Sequence, residues 1–215
     1  MSNFEYIISS LPYLTADYRY ADGAGFGTLL GEIRRDLSEK DAALVDFLLK
    51  GFDDGALDAD FYAEALHHRN RFLREYFRFD LNLRNAKVRF LNRELGRAAE
   101  LDVLTGEGTA DDTDLDIDGY RFTGGEFEEG ARAEAVLGQK DLLTRERGLD
   151  DLTWTKIDSL TTFHYFDIEA VLGYIAKLHI VDRWLALDAE AGRELFKKLV
   201  DEVRGTFKGV HYTEK

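Results

Sequence analysis

The stretch that most limits the choice of fold is FDIEAVLGYIAKLHIVDRWLALD, which begins at Phe166. Ile168, Val171, Leu172, Ile175, Leu178 and Leu185 recur in it at helical intervals, so they fall on one stripe of an α-helix. A stripe this apolar has to be covered by other elements of the same chain.

Those elements are legible as further helices. Ser38, with Asp41 three residues on, opens SEKDAALVDFLLKG; Gly51 stands at its end, and Leu44, Phe47 and Leu48 share a face. Asp58 is placed to cap a helix running through Phe61, Ala65, Phe72, Tyr76 and Phe79, with nothing to break it before Asp80. A continuation over 80–97 carries Leu83, Ala86, Phe90, Leu91 and Leu95 between its charges. Segments 28–35, 131–147, 150–163 and 189–204 also read as helices, the last with Leu195, Leu199 and Val203 inward.

Two stretches depart from this pattern. FEYIISS (4–10) is aromatic and β-branched, stops before the only proline, Pro12, and reads as a short strand or extended arm. Residues 105–130 hold nine acids against one arginine, with six glycines and no helical period, and read as an acidic loop or hairpin insertion. The expected fold is therefore mainly all-α. It is an antiparallel helical bundle in a single domain, 1–215, with an N-terminal strand or arm and an acidic insertion near 105–130.

Charge is distributed unevenly. The 215-residue chain has a formal net charge of -14, yet from Arg69 to Arg97 nine Lys and Arg face three acids, a local balance of +6. A sign reversal of this size marks either a face for an acidic partner or the solvated outer side of two core helices. The overall charge argues against general nucleic-acid binding, which needs a positive surface, although a local patch remains available for it. The absence of cysteine excludes disulfides, thiolate metal sites and a cysteine nucleophile. No run reaches the ~18 apolar residues of a membrane span, and the N-terminus lacks the basic start and apolar core of a secretory signal, so a cytoplasmic location is expected.

The search for chemistry returns little. DGAGFG (22–27) is a flexible loop rather than a phosphate-binding turn, because no strand leads into it. Asp114, Asp116, Asp118 and Gly119 match the start of a calcium loop, but Gly125 stands where a bidentate carboxylate belongs, which favours a solvated acidic hairpin. His67 and His68 are neighbours and diverge on a helix, while His164 and His179 are isolated beside apolar positions. Trp154 and Trp184 are read as core residues. No motif of nucleophilic, metal-dependent or phosphate-handling catalysis occurs, so no enzyme, no cofactor and no metal is expected.

Two stretches carry a family resemblance. DLNLRNAKVR, from Asp80, resembles a signature of the C (or d) subunit of V-type and A-type rotary ATPases, with Asp80 and Arg89 at the family's separation. Ile168, Glu169, Val171 and Tyr174 match in order the helix near that family's end. The opening FEYIISSLPYL and the stretch LSEKDAALVDFLLKGFD resemble a short bacterial form, uncharacterised proteins encoded among V-type ATPase genes. The resemblance implies a non-enzymatic central-stalk subunit that links rotor shaft to membrane ring in proton or sodium transport, reaching the membrane only through those partners. Arg78, Arg84, Lys87, Arg89 and Arg93 are then the expected partner contacts. The alternative expectation is a helical nucleic-acid-binding module that uses the basic face 69–97.

Overall fold

A computed structural model describes residues 2–15, 20, 25–104 and 127–187. Among them are eight α-helices and no strand. They are α1 (Phe4–Ser10), α2 (Phe26–Arg35), α3 (Glu39–Lys50), α4 (Ala59–Leu66), α5 (Arg71–Glu94), α6 (Gly130–Leu137), α7 (Leu142–Thr161) and α8 (Ile168–Ala186), with a 3₁₀ turn at Asp54–Ala56. The expected all-α bundle is the observed architecture.

The N-terminal strand is corrected to a helix. Phe4, Ile7, Ile8 and Leu11 are spaced i, i+3, i+4, i+7, and all four pack against the main core. The Asn3 side chain caps the first turn by accepting from the Tyr6 amide at 3.1 Å. Helical spacing and a cap therefore outweigh the β-preference of a seven-residue sequence.

Capping also sets the other boundaries. Ser38 Oγ accepts from the Asp41 amide and Asp58 accepts from the Phe61 amide, as their positions predicted. The expected unbroken helix after Asp58 is instead two, because Asn70 accepts from the Leu73 amide and starts α5 anew. From there α5 runs straight through Asp80. Further on, Asp141 accepts from Thr144 and fixes the start of α7 ahead of the expected 150. Residues 105–126 of the acidic insertion expected over 105–130, with Asp114, Asp116 and Asp118, and the helix expected over 189–204 lie outside the described residues.

Two helices act as hubs. α8 packs on α7, α3, α1, α2 and α5, while α5 packs on α4, α6, α7 and α8. Val171, Leu172, Ile175 and Leu178 are fully buried, and each such side chain contributes about 1.5–3 kcal/mol on leaving water. Thr161 opposes Gly173, Asp158 pairs with Lys177 and Asp150 with Arg183, so α7 and α8 run antiparallel. A side chain at Gly173 would crowd the Thr161 methyl, which shows how closely the two helices approach. A second, smaller core joins Phe79 and Leu83 of α5 to Ala133, Leu137 and Leu149.

Candidate functional site

The basic face predicted on α5 is present, and Arg74, Arg78, Arg84, Arg89 and Arg93 on it are engaged within the chain. Arg78 reaches Glu75 at 3.1 Å, and Arg93 reaches Glu134 at 2.5 Å. Arg89 clasps Glu100 through Nε and Nη2, a bidentate grip that draws the Glu100 carboxyl below its usual range. Arg84 donates from Nε to Asp80 at 2.8 Å and from Nη1 to Asp54 at 3.0 Å. Lys87 has no acidic partner among the described residues, and it lines a cleft together with Arg84.

That cleft encloses about 220 Å³ between the 3₁₀ turn, α5, α7 and α8. Tyr76, Asp80, Arg84 and Lys87 descend one face of α5 at i, i+4, i+8 and i+11, while His179 and Arg183 enter from α8 at i and i+4. On the far side of Asp80, the Tyr62 hydroxyl donates to the same Oδ2 at 2.6 Å. Across the cleft Asp150 accepts from Arg183 and from Trp184 Nε1.

Burial makes these groups depart from their solution behaviour. Desolvation, then the charge and hydrogen bond of Asp80, push the Tyr62 hydroxyl far up, so it stays a donor. Desolvation does the same for Tyr76. For Arg84 burial works downward, but the charge of Asp80 and the bonds to Asp80 and Asp54 outweigh it and hold the guanidinium charged. His179 is shifted down by burial and then by Arg183, and it stacks on Phe52 with ring centroids 4.0 Å apart. A neutral imidazole, protonated phenols and fixed ion pairs thus gather in one place, the pattern that marks candidate sites.

A second concave surface lies at the other end of α8. Ile8, Leu11, Tyr13, Tyr165, Gly173 and Tyr174 line a mainly apolar groove of about 540 Å³. Of its lining rings, Tyr13 is 87% exposed and Tyr165 is also exposed, and the α7–α8 turn beside it exposes Phe163, at 86%, and Phe166. Two charged or polar groups that line it are held by acids behind them: Lys177 pairs with Asp158, and His164 bridges Asp167 and Glu169 at 2.6 and 3.0 Å.

The remaining candidates are placed as follows. His67 is exposed and bonds the Ala63 carbonyl, while His68 accepts from the Asn70 amide and stacks on Phe47. Trp154 and Trp184 are half-buried against the main core. Among the described residues no set of three His, Asp or Glu groups is arranged to hold a metal, and no helix is long and apolar enough to cross a membrane. Sequence reasoning missed Asp54, Tyr76, Asp150, His179 and Arg183 as members of one cleft. The polar line 76–80–84–87 on α5 was the available signal for its α5 wall.

The fold and its surfaces define an all-helical bundle protein. Its family is the one described as protein of unknown function DUF2764, whose model matches residues 53–206, and the chain belongs to it. No curated protein and no solved structure matches the chain. This corrects the resemblance to the rotary ATPase C subunit: the chain's family is DUF2764, not that one. The matched residues have local reasons to be where they are. Asp80 binds Tyr62 and Arg84, Arg89 binds Glu100, Val171 is core, and the Tyr174 hydroxyl donates to the Pro12 carbonyl at 3.0 Å. An amphipathic helix with such duties reproduces a short helical signature without shared ancestry.

Proposed function

We propose that the protein is a non-enzymatic docking subunit that binds a partner protein in the groove between α1 and the α7–α8 turn. The supporting observation is four exposed rings, Tyr13 and Tyr165 lining the groove and Phe163 and Phe166 in the α7–α8 turn that adjoins it. Large aromatic side chains left in water beside a concave surface favour a partner that covers them. The mainly apolar floor favours the apolar face of an amphipathic partner helix.

The basic face 69–97 is the weaker docking candidate, because Arg78, Arg84, Arg89 and Arg93 already meet internal acids. The same neutralisation weighs against a nucleic-acid module. A coupling role between the shaft and membrane ring of a rotary ATPase rests on sequence expectation alone, and it remains a partner hypothesis for the experiment below.

The test is affinity capture from detergent-solubilised membranes with the wild type, a Phe163→Ser/Tyr165→Ser variant and Arg93→Glu. A partner retained by the wild type and Arg93→Glu but lost from the aromatic variant supports the groove. Capture indifferent to the aromatic change removes it. Rotor shaft or ring subunits among the captured proteins would support the coupling role, and their absence would end it.

A further inference from the structure

Two arginines enter the polar cleft from different helices, each with part of its guanidinium fixed to a largely buried carboxylate. Arg84 of α5 is held through Nε by Asp80, which Tyr62 also grips. Arg183 of α8 is held through Nη2 by Asp150, which Trp184 also grips. Arginines anchored in this way lose little further freedom when the rest of the fork takes a ligand.

The remaining donors are loosely used. Arg84 Nη1 meets Asp54, but that side chain is 85% exposed on a three-residue 3₁₀ turn, and exposed ion pairs contribute little. Arg183 Nη1 lies 4.0 Å from Glu146, beyond hydrogen-bond reach. Lys87 has no ionic partner among the described residues, and the Tyr76 hydroxyl has no hydrogen-bond partner among them. Both ion pairs act on Tyr76, which is influenced by Asp80, Arg84, Asp150 and Arg183 together. All four donors line the same cleft, and the Asp54 carboxylate already occupies one of them.

We propose that the cleft binds the phosphate group of a small phosphorylated molecule, with Arg84, Lys87, Tyr76 and Arg183 donating to its oxygens after Asp54 swings aside. The number of donors decides the ligand class. Four groups on two helices can surround a tetrahedral oxyanion, whereas a carboxylate offers two oxygens in one plane. With Asp54 displaced, three cations line the cleft against Asp80 and Asp150, and Glu146 stands 4.0 Å from Arg183, so directed donors rather than net charge hold the ligand. A volume near 220 Å³ holds a phosphate and a few further atoms. The docking groove uses residues 170–177 of α8 and this cleft uses 179–183, so the two proposals stand or fall separately.

Titration calorimetry with inorganic phosphate at constant ionic strength tests it, on wild type, Asp54→Asn and Lys87→Met, with succinate as the carboxylate control. His179, which lines the cleft, supplies a local readout through its imidazole proton resonances. Phosphate is expected to bind the wild type and move the His179 signals. Asp54→Asn should tighten binding about threefold by removing the internal competitor, and Lys87→Met should weaken it about tenfold by removing one charged donor. Failure of phosphate to bind both wild type and Asp54→Asn overturns the proposal. So does an affinity unchanged in Lys87→Met, or succinate binding more tightly than phosphate. Should Lys87→Met not fold, the Asp54→Asn gain and the His179 signals still decide.

Discussion

The Tyr62 hydroxyl donates to Asp80 Oδ2 across 2.6 Å, joining α4 to α5 over 18 residues of sequence. Tyr62 is fully buried, and among the described residues Asp80 has one other hydrogen-bonding side chain on it, Arg84. The bond is charge-assisted and largely shielded from water, so its loss leaves a carboxylate under-satisfied. Tyr62→Phe is expected to cost about 1–3 kcal/mol. Urea unfolding should show a lower midpoint at unchanged slope, and a midpoint equal to wild type would refute the role given to this pair.

Gly51 ends α3 with φ at -74°, a conformation open to any residue, so its backbone freedom is not used. What requires glycine is space: a Cβ there would lie 2.2 Å from the Phe77 ring and 3.0 Å from the Phe61 ring. Both rings belong to the main core and pack edge to face, 5.0 Å between centroids. Gly51→Ala should therefore cost about 1–3 kcal/mol as overpacking, despite alanine's higher helix propensity. Thermal unfolding would check it, with stabilisation as the contrary result.

Much of the fold was readable because its signals are local. The α8 stripe and the caps at Ser38 and Asp58 need only neighbouring residues. The errors arose where two local signals competed. FEYIISS has strand composition on helical spacing, and Asn70 supplies a helix start inside an apolar period that continues through it. The polar cleft was hidden for a different reason. Arg84 meets Asp54 from 30 residues upstream and faces Arg183 from almost a hundred downstream, which only the packing of α5 on α8 brings about. Positive charge on α5 could be counted in the sequence; its neutralisation by Glu100 and Glu134 could not.

His179 gives the protein a defined acid sensitivity. Burial and Arg183 lower its folded pKa below the unfolded value near 6.5, so protonation favours the unfolded chain. Stability from this group is complete above about pH 6.5 and declines as pH falls from there toward the folded pKa. Half-buried His68 acts in the same direction, again chiefly through desolvation. Melting temperatures between pH 5 and 8 should fall on the acid side in the wild type. His179→Gln should flatten much of that fall and leave the share due to His68; an unaltered profile would show that His179 is not the sensor.

The segment after α5 is tied back by asparagines rather than by its one strong ion pair. Asn85 is buried; its Nδ2 donates to the Leu104 carbonyl at 2.9 Å and its Oδ1 accepts the Leu104 amide at 3.0 Å. Asn92, two turns on and also buried, donates to the carbonyls of Ala99 and Leu101. The Arg89–Glu100 grip on the same segment leaves Glu100 66% exposed, so water and salt screen it. Removing Asn85 leaves two backbone groups of Leu104 without their partner, a cost of about 1–3 kcal/mol, whereas removing the Glu100 charge should cost no more than about 1 kcal/mol. Asn85→Ala is thus expected to lower the denaturation midpoint more than Glu100→Gln does, and to speed hydrogen exchange at the Leu104 amide. The reverse order would mean that the ion pair, not the asparagine clamp, holds residues 97–104 against α5.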